Sequence, residues 1–463
     1  MAGSTRYDTV VVGAGQGGIP FAIAAARAGR RTAIVERHHV AGTCINEGCT
    51  PTKTMLASAH AAAAARRAAE FGVHVGPVTV DMSAVRERKR AIVESWRAGS
   101  ERRLATTAGL DLLRGEARFA GPHTLIVRLQ DGSEATLETP RTIIDAGGRP
   151  AIPPLAGLAD VPYHDSTSIM EVDVVPAHLL VLGGGYVAVE FAQMFLRFGS
   201  RVTVVQRGTR LLGREDEDVA VGVAQVLRED GAELLLGTTT RRARAVPGGV
   251  EVDVETPHGD VTLSGSHLLV ALGRAPNTED LDLPAAGVVT DARGFIPVDE
   301  RLQTNVPGIH AIGDVNGGPA FTHVSYDDFR ILRANLLEGG RATTADRLLP
   351  YVVYTDPQLG RVGLTEREAR DRGYDVRVAT LPMSSVARAI ETIESRGFLK
   401  AVVDGATDRL LGAAVLGVEG GEVMAVMQAA MLGGVTASTL REAVFAHPSL
   451  AESLNNLFAS LET

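Results

Sequence analysis

At 463 residues and 45% hydrophobic content, the chain is long enough for about three domains with sizeable cores. Lys+Arg 46 against Asp+Glu 55 makes it mildly acidic, and its arginines are spread along the sequence, which excludes a basic face for nucleic acid. The N-terminus has no charged segment followed by an apolar one, and no apolar run reaches the roughly 18 residues of a membrane span. Even the apolar stretch 179–195 carries Glu190 and three glycines. The expectation is a cytoplasmic protein without nucleic-acid or membrane partners.

The first predicted elements are a strand at 7–12, a helix at 18–28 and a strand at 31–36. A long Ala-rich helix follows at 50–67, then another at 81–107 with 86–90 as its solvated face. A second β-α-β unit starts at His178: strand 179–182, glycine turn 183–188, helix 189–198 and strand 201–205. Pro/Gly punctuation at Gly147-Gly148-Arg149-Pro150 and Gly273-Arg274-Ala275-Pro276-Asn277 brackets this unit. Beyond about Arg347 the texture changes to strands at 351–354, 398–403 and 411–417 with a helix at 422–432, a separate α+β domain. The fold class is therefore α/β, with two Rossmann-like dinucleotide-binding domains and a C-terminal α+β domain.

Both glycine turns follow an apolar strand and open a helix, the context in which glycines let backbone amides approach a pyrophosphate. In the first turn these are Gly13, Gly15 and Gly18, and Glu36 falls 23 residues after Gly13, placed for ribose hydroxyls. In the second turn, Gly183 and Gly185 are followed at the same interval by Gln206, and then by Arg207. A neutral amide beside a guanidinium accommodates a 2′-phosphate where a carboxylate would repel it. Arg210 and Arg214 could add to that pocket. The expectation is NADP(H) at the second site, with NADH as the alternative. The competing reading of Arg207 is a solvated arginine at a strand end.

The sequence has two cysteines, both within Gly42-Thr43-Cys44-Ile45-Asn46-Glu47-Gly48-Cys49-Thr50-Pro51-Thr52-Lys53. In a reducing compartment a catalytic or metal-binding pair is favoured over a structural disulfide. Zinc needs four ligands, and neither a second cysteine pair nor a nearby histidine cluster exists in the sequence, so no metal is expected. The plain alternative is a pair of buried thiols.

With the stretch Thr304-Asn305-Val306-Pro307-Gly308-Ile309-His310-Ala311-Ile312-Gly313-Asp314 and the closing His447-Pro448-Ser449-Leu450-Ala451-Glu452, these motifs in this order resemble the flavoprotein disulfide reductases of the glutathione reductase, lipoamide dehydrogenase and mercuric reductase type. The resemblance spans essentially the whole length. It implies an FAD domain at 1–150 resuming at 273–346, an NAD(P) domain at 151–272 and a dimerisation domain at 347–463. It also implies a homodimer. Asp314 would bind the FAD ribityl chain, Lys53 and Glu190 would pair beside the flavin, and Tyr186 would cover the nicotinamide pocket. Thr43, Gly147, Gly273 and Arg274 join the cofactor-binding set. Several features depart from the pattern. Asp145-Ala146-Gly147 replaces a common Ala-Thr-Gly turn, and Ser449 a commoner Thr. The last residues lack the cysteine pair of mercuric reductase, and its N-terminal metal-binding module is not expected either. His323 occurs at a similar place in lipoamide dehydrogenases.

The expected chemistry is transfer of hydride from NADPH to FAD, reduction of the Cys44–Cys49 disulfide, and exchange with a small disulfide substrate, or the reverse oxidation of a dithiol. Cys49, near a helix start, suits the flavin-side thiolate and leaves Cys44 facing solvent and substrate. His447, oriented by Glu452 and donated by the partner subunit, would protonate the leaving thiolate. Pro448 could start a helix, and Ser449 with Glu452 also reads as a capping box. Two alternatives stand beside this reading: a mercuric-reductase-like enzyme reducing a metal ion, quinone or reactive halogen species, and a flavin-bound redox sensor without turnover.

Overall fold

The computed structural model describes residues 4–462. The chain divides into two compact units. The first combines the residues up to Thr54 with Glu87–Ala151 and Gly273–Arg347, and the second holds Met55–Arg86, Ile152–Leu272 and the residues from Leu348 onward.

At the centre of the first unit, parallel strands lie in the order Leu110–Gly121, Thr32–Glu36, Thr9–Val12, Thr142–Ile144 and Ile309–Ala311. Thr9–Val12 is buried along its whole length, as befits a strand covered on both faces. Helix Gly18–Arg27 sends Ile19, Phe21 and Ile23 into a core shared with Ile34, Ile143 and Phe329. Strand Leu110–Gly121 continues antiparallel into Thr124–Leu129 and then Glu134–Glu138. The strand expected at 7–12 begins at Thr9, and a separate short strand, Thr5–Arg6, precedes it. Thr5–Arg6 pairs with Leu137–Glu138, Thr9–Val12 pairs with Thr32–Val35, and the Tyr7 and Asp8 amides bond to Glu138 and Arg31 carbonyls at the changeover.

The second unit has its own parallel sheet, in the order Glu233–Leu236, Arg201–Gln206, His178–Leu182, His267–Val270, Tyr163–His164. A meander of Thr239–Val246, Gly249–Thr256 and Gly259–Gly265 adjoins it in sequence. The helix expected from residue 189 starts at Tyr186, because Gly185 serves as its N-cap and the glycine turn passes directly into it. The C-terminal part is an antiparallel sheet, Pro350–Val353, Gln358–Gly363, Leu410–Gly417, Phe398–Asp404 and Val376–Pro382. Helix Gly420–Leu432 packs Val423, Met424 and Met427 into its core.

Helix Met82–Ala105 corrects the reading of 86–90 as a solvated face. Lys89 is 3% exposed, because it falls on the inward stripe with Met82, Val85 and Val93. Among the described residues no helix is long and apolar enough to cross a membrane.

Candidate active site

Gly42–Asn46 forms a short helical turn that carries Cys44, and Cys49 opens helix Cys49–Arg67. The helix thus begins one residue before the expected Thr50, placing Cys49 in its first turn, where the amide dipoles favour negative charge. Cys44 is hydrogen-bonded to Cys49. That bond, together with burial and the neighbouring sulfur's charge, raises the pKa of Cys44, while Thr322 and Lys53 pull the other way. The Thr322 hydroxyl also lies 3.4 Å from Cys49 Sγ. The expectation that Cys44 faces solvent needs correcting: Cys44 is partly buried inside its turn, and Cys49 is the exposed one. Sequence reading passed over Thr322. It opens helix Thr322–Leu337, 273 positions from Cys49, and no local pattern connects the two. His323 beside it stacks on Phe321 at 5.3 Å.

The first glycine turn belongs to the same unit. Gly13 has φ +104°, and a Cβ there would sit 2.2 Å from the Asp145 carbonyl oxygen, so no side chain fits. Glu36 ends its strand and accepts hydrogen bonds from the Ala14 amide (2.9 Å) and the His38 amide (2.8 Å), which ties the acidic strand end to the glycine turn. A Cβ on Gly42 would lie 2.9 Å from Gly15 Cα, so the dithiol turn rests directly on the glycine turn. Thr43 Oγ1 reaches the Gly148 carbonyl at 3.4 Å. Strand Gly148–Pro150, just after Gly147, pairs with Arg274–Pro276, just after Gly273. Arg274 donates from Nη2 to the Gly148 carbonyl (2.5 Å), and its Nε lies 3.3 Å from Asp314 Oδ2. Burial raises the pKa of Asp314 against the pull of Arg274. Backbone amides at a helix start, an acidic strand end and a half-buried acid form a donor and acceptor set of the kind that fits a dinucleotide such as FAD.

The second glycine turn repeats the device. Gly183 has φ +117°, and its Cβ would lie 2.4 Å from the Ala271 carbonyl oxygen. Gln206 ends its strand against Gly184 and donates to the Arg210 carbonyl at 3.3 Å. Arg207 and Arg214 are exposed, and Arg210 lies 3.9 Å from Glu217. Helix Tyr186–Phe198 aligns Tyr186, Glu190, Gln193 and Arg197 on one face by their spacing. Buried Glu190 accepts from the Tyr354 amide (2.8 Å). Gln193 both accepts from the Asp356 amide (2.7 Å) and donates to the Asp356 carbonyl (2.8 Å), and the Arg197 guanidinium grips the Asp356 carboxylate. Burial opposes ionisation of Asp356, but His60 and Arg197 outweigh it and hold its carboxyl well below the usual range. Of this face the sequence reading singled out Tyr186 and Glu190. The recurrence of polar residues every three or four positions in an apolar helix was the available signal for the others.

His447 Nδ1 lies 2.9 and 3.1 Å from the two Glu452 carboxylate oxygens, and the imidazole is 70% exposed. Ser449 Oγ accepts from the Glu452 amide at 3.2 Å, which is half of a capping box. The Glu452 carboxylate is turned to the histidine rather than spent on the other half. Pro448 starts no helix, because the following residues turn first and the helix is Ser453–Ala459.

Residues 7–328 match the pyridine nucleotide-disulphide oxidoreductase model, and residues 349–458 match the dimerisation domain of the same family. The chain is 38% identical over 458 residues to the probable pyridine nucleotide-disulfide oxidoreductase RclA of Escherichia coli, covering 98% of this chain and 99% of that protein. It is 37% identical over 451 residues to the mercuric reductase of Streptomyces lividans, covering 97% and 95%. Among solved structures, the Cu(II) complex of the HOCl-induced flavoprotein disulfide reductase RclA from Escherichia coli superposes with a TM-score of 0.89 at 37% identity, covering 98% of this chain and 99% of that one. The chain belongs to the pyridine nucleotide-disulphide oxidoreductases, homodimeric flavoprotein oxidoreductases with FAD, a pyridine nucleotide and a redox-active disulfide.

Proposed function

We propose that this chain is an NADPH-dependent FAD disulfide reductase whose acceptor is a small disulfide, or in reverse a small dithiol. In this reading 1–150 with 273–346 hold FAD, 151–272 hold the coenzyme, and 347–463 form the dimer interface of a cytoplasmic enzyme. The observation that carries it is the thiol pair: Cys44 hydrogen-bonded to Cys49 at a helix start, resting on the Gly13–Gly18 turn. Bound FAD supplies two-electron transfer between the nicotinamide and the cysteine pair. Gln206 and Arg207 receive the 2′-phosphate, and Tyr186 closes the nicotinamide pocket. Cys49 holds the thiolate, helped by the helix start and the Thr322 hydroxyl. Cys44 passes its proton to the His447 imidazole and attacks the acceptor sulfur, whose S–S bond breaks; Cys49 then attacks Cys44 Sγ and releases the second thiolate. Glu452 fixes the proton of His447 on Nδ1, so Nε2 is the atom that gives its proton to the departing thiolate. In the dimer that acid is His447 of the partner subunit.

A second reading has a metal ion or oxidant as acceptor. Two thiols within one hydrogen bond of each other offer a soft-metal ligand pair. The related RclA is described as HOCl-induced and in complex with Cu(II).

NADPH consumption measured against small disulfides, Cu(II), Hg(II) and quinones separates the two. His447→Ala should slow reoxidation by a disulfide by roughly 10²–10⁴-fold and leave flavin reduction by NADPH nearly unchanged. Mixed dimers of His447→Ala and Cys44→Ser chains should regain one intact site. Wild-type turnover of His447→Ala with every acceptor would move the assignment to the second reading.

A further inference from the structure

Asp145 follows strand Thr142–Ile144, and its amide extends the pairing by donating to the Val12 carbonyl (2.8 Å). Its side chain turns beneath the first glycine turn, where it is 7% exposed. There Oδ2 accepts from the amide of Gly18, the first residue of helix Gly18–Arg27, at 2.7 Å. The glycines around it are shaped to this carboxyl. A Cβ on Gly15 would lie 2.5 Å from Oδ2, one on Gly18 2.8 Å from Oδ2, and one on Gly313 3.1 Å from Oδ1. An acid group therefore occupies the underside of the helix start whose upper side suits a pyrophosphate.

Both anions would draw on the same few amide dipoles, and each weakens the other's hold. Three carboxylates act on Asp145: Asp314 in the turn Gly313–Asn316, Asp328 on helix Thr322–Leu337, and Glu36 at the strand end. The arginines of that region are engaged elsewhere, with Arg274 beside Asp314 and Arg347 on Asp328 at 2.6 Å. Burial first, and then these three carboxylates, raise the pKa of Asp145 well above the usual range against the pull of the Gly18 amide.

We propose that Asp145 is a positioning residue that links FAD binding to a proton: its neutral acid fastens the helix start while leaving the amide dipoles to the pyrophosphate, and its carboxylate competes for them. This rests on the reading of the Gly13–Gly18 turn as the FAD site. A bound pyrophosphate disfavours the carboxylate, so the complex holds more proton than the free chain, and affinity falls as pH rises. Proton uptake on FAD binding follows from the same linkage.

The test is the FAD dissociation constant of the full-length protein between about pH 6 and about pH 9, read from the fluorescence of released FAD. In the wild type it should rise about tenfold or more over that range, approaching a factor of ten per pH unit where one proton is fully linked. Asp145→Asn keeps the shape without the charge and should flatten the profile. Asp145→Ala, which leaves a small residue in the turn, should flatten it too, and either variant suffices if the other folds poorly. A flat wild-type profile, or variants with the wild-type slope, overturns the inference while the FAD assignment stands. A wild type that retains no FAD at any pH overturns the assignment itself.

Discussion

Gly13 and Gly183 occupy the same place in their respective β-α-β units. Both have positive φ, and both have the carbonyl of the residue just after a strand, Asp145 or Ala271, where a Cβ would go. The strand ends differ. Glu36 is bonded back to the Ala14 amide of its own turn, whereas Gln206 packs on Gly184 with arginines at 207, 210 and 214 nearby in sequence. The floors differ as well. Asp145 accepts from the helix start, and the methyl of Ala271 can accept nothing. The backbone device is thus the same, while the side chains around it differ: a carboxylate closes one strand end and a neutral amide the other.

The largest effect should come from closing one turn at a time. Gly13→Ala drives a Cβ into the Asp145 carbonyl and should weaken FAD binding by roughly 100-fold or more, seen as colourless purified protein. Gly183→Ala should leave the flavin bound and cost the enzyme its reduction by NADPH by a comparable factor, measured in stopped flow. Loss of flavin from Gly183→Ala would break the division of labour between the units.

Changing the strand ends should have a smaller effect. Gln206→Glu with Arg207→Ala should shift the kcat/KM ratio toward NADH by about tenfold or more, about 1.4 kcal/mol. A wild type that already prefers NADH would contradict the reading of Gln206 and Arg207.

The smallest effect should be confined to the second unit. Hydrogen bonding to Asp356 raises the pKa of His60. Its contribution is therefore complete below the unfolded value of about 6.5 and is lost as pH rises through the folded one. His60→Ala should lower stability at about pH 5.5 by up to ~1 kcal/mol, since the ring is largely exposed, and by less at about pH 8.5, as thermal unfolding would show. Equal losses at both pH values would remove the ion pair from the account.

Both turns were legible in sequence, because glycine after an apolar strand and before a helix has a local steric cause. The helix that Cys49 opens was legible to within one residue from its run of alanines. What the sequence did not disclose lies far apart along the chain. Thr322 reaches Cys49 from a different helix, Asp356 collects His60, Gln193 and Arg197 through folding alone, and Lys89 is buried by the register of its helix. Asp145 was visible as a departure from a familiar turn. Its contact with Gly18, 127 positions away, is what gives that departure a physical meaning.

The central claim is that electrons entering at the second unit arrive on a Cys44–Cys49 pair served by the first. Anaerobic titration with NADPH, followed by visible absorbance, tests it most directly. The account predicts a long-wavelength thiolate–flavin band on two-electron reduction, retained in Cys44→Ser and lost in Cys49→Ser. Absence of the band in the wild type, or the reverse pattern in the two variants, would contradict it.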